Sequence, residues 1–276
     1  MPGAFHILVL ALLFAASPLA VAQDKSQSEV DETLSAIVRV RAKILPNARS
    51  AATLGLQREG SGVLVREGYA ATIGYLVIES EAIEVTGADG KSVPASLAAY
   101  DHASGFGLLR LLAPLAGRPL PLGDSSRLAA RDPALVAGWG GDNVRLVNVV
   151  SRRPFSGGWE YMLDAAIYTY PPVMNWSGAA LIGAKGELLG LGSLIVADAT
   201  GGGTQAPGNM FVPADLLNSI LEDMIVRGKA SGLARPWLGI NTEELRGRLY
   251  VTRVSPEGPA DKAGITDGDM LLGIGD

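Results

Sequence analysis

The feature that most constrains this chain is its punctuation. Glycine occurs 35 times and proline 16 times in 276 residues, and between them lie apolar runs too short for a helical bundle. Short apolar runs bounded by tight turns are the pattern of an all-β architecture. Residues 35–42 set Val38 and Val40 against Arg39 and Arg41, the period of a half-buried strand. Val63-Leu64-Val65, a turn at Glu67-Gly68 and a second run from Tyr69 predict a hairpin across 60–77. Residues 82–85 and 93–99 flank Asp89-Gly90, a strong hairpin signal. With the apolar run at 106–112, these segments predict a first barrel of about six short strands.

A crossing segment at 115–121 leads to runs at 134–138, 144–150, 161–167, 179–182, 187–196 and 209–212, which predict a second barrel. Gly201-Gly202-Gly203 reads as a mobile surface loop between two of its strands. The period then changes. Across 213–227, Leu216, Ile220 and Met224 recur every fourth residue beside Leu217, Leu221 and Ile225, predicting a helix with a broad apolar face. Asp215 suits its positive end and Gly228 its stop. Residues 229–235 form a linker, and a new module begins at Pro236.

Composition excludes several kinds of chemistry. Cysteine is absent, which removes disulfides, thiolate zinc sites and cysteine nucleophiles together. The net charge is −5 with no run of Lys or Arg, which argues against a nucleic-acid partner. There are two histidines and the carboxylates are scattered, so no metal site is expected. The glycine run lacks the Lys and Ser/Thr of a phosphate loop, and no cofactor is implied. At the N-terminus, Phe5 to Leu19 is almost wholly apolar and Ala20-Val21-Ala22 is a small-x-small cleavage pattern. Residues 1–22 therefore read as a signal peptide, although no Lys or Arg precedes the apolar stretch; an uncleaved membrane anchor is the alternative. An exported chain, periplasmic or secreted, with no membrane span in its mature part, follows from this reading.

Gly60-Ser61-Gly62-Val63-Leu64-Val65 with Gly68-Tyr69 and Thr72 resembles the opening barrel of the HtrA family of trypsin-like serine proteases. Leu122-Gly123-Asp124-Ser125, Asp164-Ala165-Ala166-Ile167 and Phe211-Val212-Pro213 are similar to its later motifs. Trp237-Leu238-Gly239-Ile240 and the segment from Ser255-Pro256 through Pro259-Ala260 to Ala263-Gly264 resemble its attached PDZ domain. The resemblance implies a chymotrypsin-like double β-barrel over 33–228, a closing helix, and a partial PDZ domain over 236–276. It also implies homo- or hetero-oligomers with HtrA-like relatives, and unfolded or extended polypeptides and protein C-termini as ligands.

The same resemblance implies a degenerate catalytic triad. The histidine-bearing strand end corresponds to Thr72-Ile73-Gly74-Tyr75-Leu76-Val77, which puts Tyr75 where the histidine belongs. The aspartate motif corresponds to Asp101-His102-Ala103-Ser104-Gly105-Phe106, with Gly105 at the carboxylate position. The nucleophile motif becomes Asn175-Trp176-Ser177-Gly178-Ala179, which keeps Ser177. About five extra residues, 168–172, precede it, and Asn175 stands where the family has a glycine of the oxyanion hole. A phenol with an ordinary pKa near ~10 is a poor proton acceptor at neutral pH. Removing the serine or histidine of such a triad costs about 10⁶-fold in turnover, roughly 8 kcal/mol. The expectation is a pseudoprotease. The alternatives are a divergent serine endopeptidase using Ser177, with His102 or Lys185 as a recruited base, and a PDZ-type adaptor. At the adaptor's peptide loop, Trp237, Leu238, Gly239 and Ile240 would present N–H groups to a terminal carboxylate.

Overall fold

The computed structural model describes residues 28–140, 144–157, 161–203, 205–230 and 236–275. The expected signal segment 1–22 and most of the expected linker lie outside the described residues.

In strand β1 (Ile37–Ile44) the expected alternation holds: Val38, Val40, Ala42 and Ile44 are buried while Arg41 and Lys43 point to solvent. It pairs with β2 (Gln57–Arg66) and β4 (Ser80–Thr86), and β3 (Tyr69–Ile73), β6 (Phe106–Leu111) and β5 (Ser92–Tyr100) complete a closed barrel in the order β1-β2-β3-β6-β5-β4. Closure gives every strand two neighbours, which removes the exposed edges an open sheet would carry. The hairpins β2–β3 and β4–β5 turn where Glu67-Gly68 and Asp89-Gly90 indicated.

Strands β7 (Pro133–Ala137), β8 (Val144–Ser156), β9 (Met162–Tyr170), β10 (Ala180–Ile182), β11 (Leu188–Val196) and β12 (Gly208–Pro213) close a second barrel, ordered β10-β11-β12-β9-β8-β7. A chymotrypsin-like double barrel is thus formed, as the sequence predicts. In this barrel β8 and β9 run furthest past their expected bounds. β8 continues to Ser156 because Arg152, Arg153, Phe155 and Ser156 remain paired with β9 across a register shift after Arg153. β9 continues to Tyr170, so Tyr168 and Thr169 are strand residues paired to Met210 and Asn209. The extra length before Ser177 is therefore largely added strand, laddered on both sides, rather than an inserted loop. The glycine-rich loop is wrapped around the Asp198 carboxylate, which accepts from the N–H groups of Thr200 (2.9 Å), Gly201 (3.0 Å) and Gly203 (2.8 Å).

Helix α1 (Ala214–Arg227) buries Ala214, Leu217, Leu221 and Met224, and Gly228 ends it in the left-handed conformation at φ +68°. One cluster of buried side chains runs from Ala36 in the first barrel through Leu191 in the second to Met224 on this helix. The C-terminal residues form an antiparallel sheet of β13 (Ile240–Leu245), β14 (Arg248–Val254) and β15 (Met270–Leu271), with a short helix α2 (Pro259–Lys262). Among the described residues, no helix is long and apolar enough to cross a membrane.

Candidate functional site at the barrel junction

β3 ends at Ile73, and a single 3-10 turn, Gly74–Leu76, carries Tyr75 toward the second barrel. Gly74 is required here, since a Cβ would lie 2.0 Å from the Tyr100 ring. Behind the turn stands Arg58 of β2, 6% exposed, which donates to the carbonyls of Tyr75 (2.6 Å) and Ile78 (3.3 Å) and to Ser50 Oγ (2.7 Å). Burial lowers its pKa, and the negative charge of Glu79 offsets part of that.

Ser177 sits between β9 and β10, facing the turn. Its carbonyl accepts from Ser61 N at 2.8 Å, and Gly178 N donates to Gly192 O at 2.8 Å. Gly178 has φ +71°, and a Cβ on it would lie 1.9 Å from the Ser61 carbonyl oxygen. Gly60 has a related role, for a Cβ there would lie 2.8 Å from Ser177 O. Gly60 and Gly178 thus let the two barrels meet backbone to backbone, which holds the serine in place.

The phenolic oxygen of Tyr75 lies 2.8 Å from Ser177 Oγ and 2.9 Å from the carbonyl oxygen of Ser193. One phenolic proton faces two acceptors. The phenolic hydroxyl donates toward both, so its single proton is shared between Ser177 Oγ and the Ser193 carbonyl. Burial raises the Tyr75 pKa well above the ordinary phenol value, with hydrogen bonding to Ser177 and Trp176 opposing and nearby Tyr161 adding to the rise. Tyr75 is therefore neutral at physiological pH, and it cannot take the serine proton as an imidazole would.

Ser193 extends the network. It is fully buried, and its hydroxyl makes a short hydrogen bond with the hydroxyl of Tyr161, which is 4% exposed. The Tyr161 ring in turn lies against Gly105, where a Cβ would come within 2.8 Å of Cε1 and 2.9 Å of Cδ1. Gly105 itself has φ +79°, and its carbonyl accepts from Gly74 N at 2.7 Å. The structure thus brings Tyr75 and Ser177 into direct contact, with Gly105 linked to them through Gly74 and Tyr161. Tyr161, Ser193 and Arg58 were not singled out by the sequence. The available signal was Gly105, because a bare backbone in a packed interior leaves a volume that another side chain fills.

The candidate bases lie elsewhere. His102 is exposed and stands edge-on to the Tyr100 ring, with centroids 4.5 Å apart. Asp101 is engaged at the same turn, accepting from the hydroxyl and the N–H (3.0 Å) of Ser104. Lys185 is exposed between β10 and β11. Among the described residues, no group of three or more His, Cys, Asp or Glu could hold a metal ion.

Trp237, Leu238 and Gly239 form an irregular segment leading into β13, which Ile240 opens. Gly239 has φ +77°, its carbonyl accepts from Ser255 N (2.7 Å), and that of Leu238 accepts from Ala260 N (3.0 Å).

Two closed barrels with a serine held between them define the trypsin-like peptidase fold, and residues 60–191 match the trypsin-like peptidase domain. Within that class the chain is similar to proteases of HtrA type. It is 27% identical over 249 residues to the serine protease Do-like HtrA of Lactobacillus helveticus, covering 78% of this chain and 58% of the relative. It is 26% identical over 232 residues to the periplasmic pH-dependent serine endoprotease DegQ of Escherichia coli strain K12, covering 78% and 50%. It is 28% identical over 237 residues to the periplasmic serine endoprotease DegP of Salmonella typhimurium, covering 78% and 48%. The chain thus spans about half the length of these relatives. The solved HtrA-type protease AlgW with tripeptide superposes with a TM-score of 0.60 at 23% identity, covering 89% of this chain and 81% of that one, which is a likeness of fold.

Proposed function

We propose that this chain is an exported HtrA-like pseudoprotease that keeps a protease shell for binding extended or unfolded polypeptide in protein quality control. In this reading Tyr75 and Gly105 occupy the histidine and aspartate positions of a triad whose serine, Ser177, persists. One observation carries it: the side chain in hydrogen-bond contact with Ser177 Oγ is a partly buried, neutral phenol. With neither base nor carboxylate, the expected loss is about 10⁶-fold relative to an intact triad.

Polypeptide as the ligand is supported by two features of the site. Among the described residues, the backbone N–H groups of Asn175, Trp176 and Ser177 donate to no protein acceptor. Pairing of β11 with β10 ends at Leu191, so residues 194–196 have a strand partner, β12, on one side only. An extended chain adds to such an edge through main-chain hydrogen bonds. The relatives named serine endoproteases point to the same ligand class.

Residues 236–276 are read as part of a PDZ domain, with Trp237, Leu238, Gly239 and Ile240 as its peptide loop. The held carbonyls of Leu238 and Gly239 support this, because they shape the loop while leaving the N–H groups of both residues without a protein acceptor among the described residues. Export rests on the leader-like residues 1–22 and on the periplasmic relatives. Assembly with copies of itself or with HtrA-like relatives belongs to the same reading.

The test is to treat the purified mature protein with a fluorophosphonate probe and, separately, with unfolded casein. The expected result is casein binding without cleavage and without Ser177-dependent labelling. Labelling that disappears in Ser177→Ala, together with casein cleavage, overturns the reading in favour of a divergent serine endopeptidase.

A further inference from the structure

The side chains behind Ser177 form one neutral chain. Ser177 Oγ meets the Tyr75 phenol, the phenol meets the Ser193 carbonyl, and the Ser193 hydroxyl meets the Tyr161 hydroxyl. Tyr161 is pinned from three directions: by that hydroxyl bond, by Phe155, whose ring centroid is 5.8 Å away, and by Gly105. A Cβ on residue 105 would approach two Tyr161 ring carbons to within 3.0 Å, closer than carbon atoms pack, and the ring is too confined to swing aside.

We infer that Tyr161 is a positioning residue that replaces, by ring volume and by its hydroxyl, whatever side chain residue 105 could have carried, and that it thereby holds Ser193 and Tyr75 in the arrangement that silences Ser177. This deepens the pseudoprotease reading and rests on it for the identity of positions 75 and 105. Its steric core does not depend on that reading: a side chain at 105 and the ring at 161 exclude each other. Restoring an imidazole and a carboxylate at positions 75 and 105 therefore leaves the site closed until residue 161 is made small.

Two measurements test this. The first is a thermal-melting cycle of the wild type, Gly105→Ala, Tyr161→Ala and the double variant, with Tyr161→Phe as a control that keeps the ring. Gly105→Ala is expected to lower Tm by several degrees more beside Tyr161 or Tyr161→Phe than beside Tyr161→Ala. A Gly105→Ala protein that folds only in the Tyr161→Ala background is the same result in its extreme form. Equal Tm losses in all backgrounds overturn the inference. The second compares fluorophosphonate labelling of the pair Tyr75→His/Gly105→Asp with the triple variant that adds Tyr161→Ala. At least about tenfold faster labelling of the triple supports the inference, and equal rapid labelling overturns it while upholding the assignment of positions 75 and 105. A non-additive melting cycle with no labelling in either variant leaves the exclusion standing and sinks that assignment.

Discussion

The guanidinium of Arg58 reaches the carbonyl of Tyr75 at 2.6 Å, so the turn that presents the phenol to Ser177 is braced by a buried cation one strand away. The bond is charge-assisted and shielded from water, the setting in which such contacts are strongest. Arg58 also closes the loop at 50–55 through Ser50 Oγ and, at 3.3 Å, Gly55 O.

Arg58→Ala should leave the Tyr75 and Ile78 carbonyls without this donor and cost about 3 kcal/mol, measured by urea unfolding. Arg58→Lys should recover only part of the loss, because an ammonium lacks the planar fork that serves several acceptors at once. Equal stability of the alanine variant and the wild type would contradict the bracing role.

Removing the phenolic oxygen with Tyr75→Phe should cost about 1–2 kcal/mol, because the Ser193 carbonyl loses its phenol donor. It should not raise hydrolysis. The pH dependence has a definite sign. Burial raises the folded-state pKa of Tyr75 above the unfolded value of about 10, so the stability this group contributes is complete below pH 10 and is lost as pH climbs from there toward the folded pKa. Tyr161, whose pKa burial also raises, acts in the same direction. Alkaline unfolding curves should therefore steepen above pH about 10, and less so in Tyr75→Phe.

At the other end of the scale, Glu79 is partly buried, which by itself would raise its pKa. Hydrogen bonds from the Ser50 hydroxyl, Ser50 N (2.9 Å) and Arg49 N (3.1 Å), with the charge of Arg58, outweigh that and hold the carboxyl below its ordinary value. A lowered folded-state pKa contributes stability above the unfolded pKa and loses it as pH falls through the folded one. Acid titration of stability should show a shallower loss in Glu79→Gln than in the wild type. An unchanged acid limb would show that the carboxylate is not linked to folding.

Gly178→Ala should be the most damaging small substitution at the site. Its Cβ would enter the Ser61 carbonyl at 1.9 Å, and φ is already +71°. Left-handed strain of ~1–2 kcal/mol adds to a backbone clash that nothing flexible can relieve, so a loss above about 3 kcal/mol is expected by chemical denaturation. A near-native variant would mean that the junction of the barrels yields more than this packing implies.

The barrels were readable because strand period and turn chemistry are local properties: Val38 and Val40 alternate with arginines whatever lies opposite, and Asp89-Gly90 turns the chain by its own backbone preferences. The bounds of β8 and β9 were not, because their extra residues owe their strand conformation to partners far along the chain. The site divided in the same way. Tyr75, Gly105 and Ser177 stood out in the sequence through its resemblance to a protease family. That Tyr75 reaches Ser177 across 102 residues, or that Tyr161 bonds Ser193 across 32, was not.

By itself, the sequence determined the two-barrel class, the closing helix, and which side chains stand at 75, 105 and 177. Tertiary structure alone decided which of them meet and what fills the space between, since closure of each barrel and the glycine-lined contact between them set which side chains share a buried volume. A buried polar group must find partners within that volume, and so the phenols and hydroxyls of Tyr75, Tyr161, Ser177 and Ser193 came to satisfy one another.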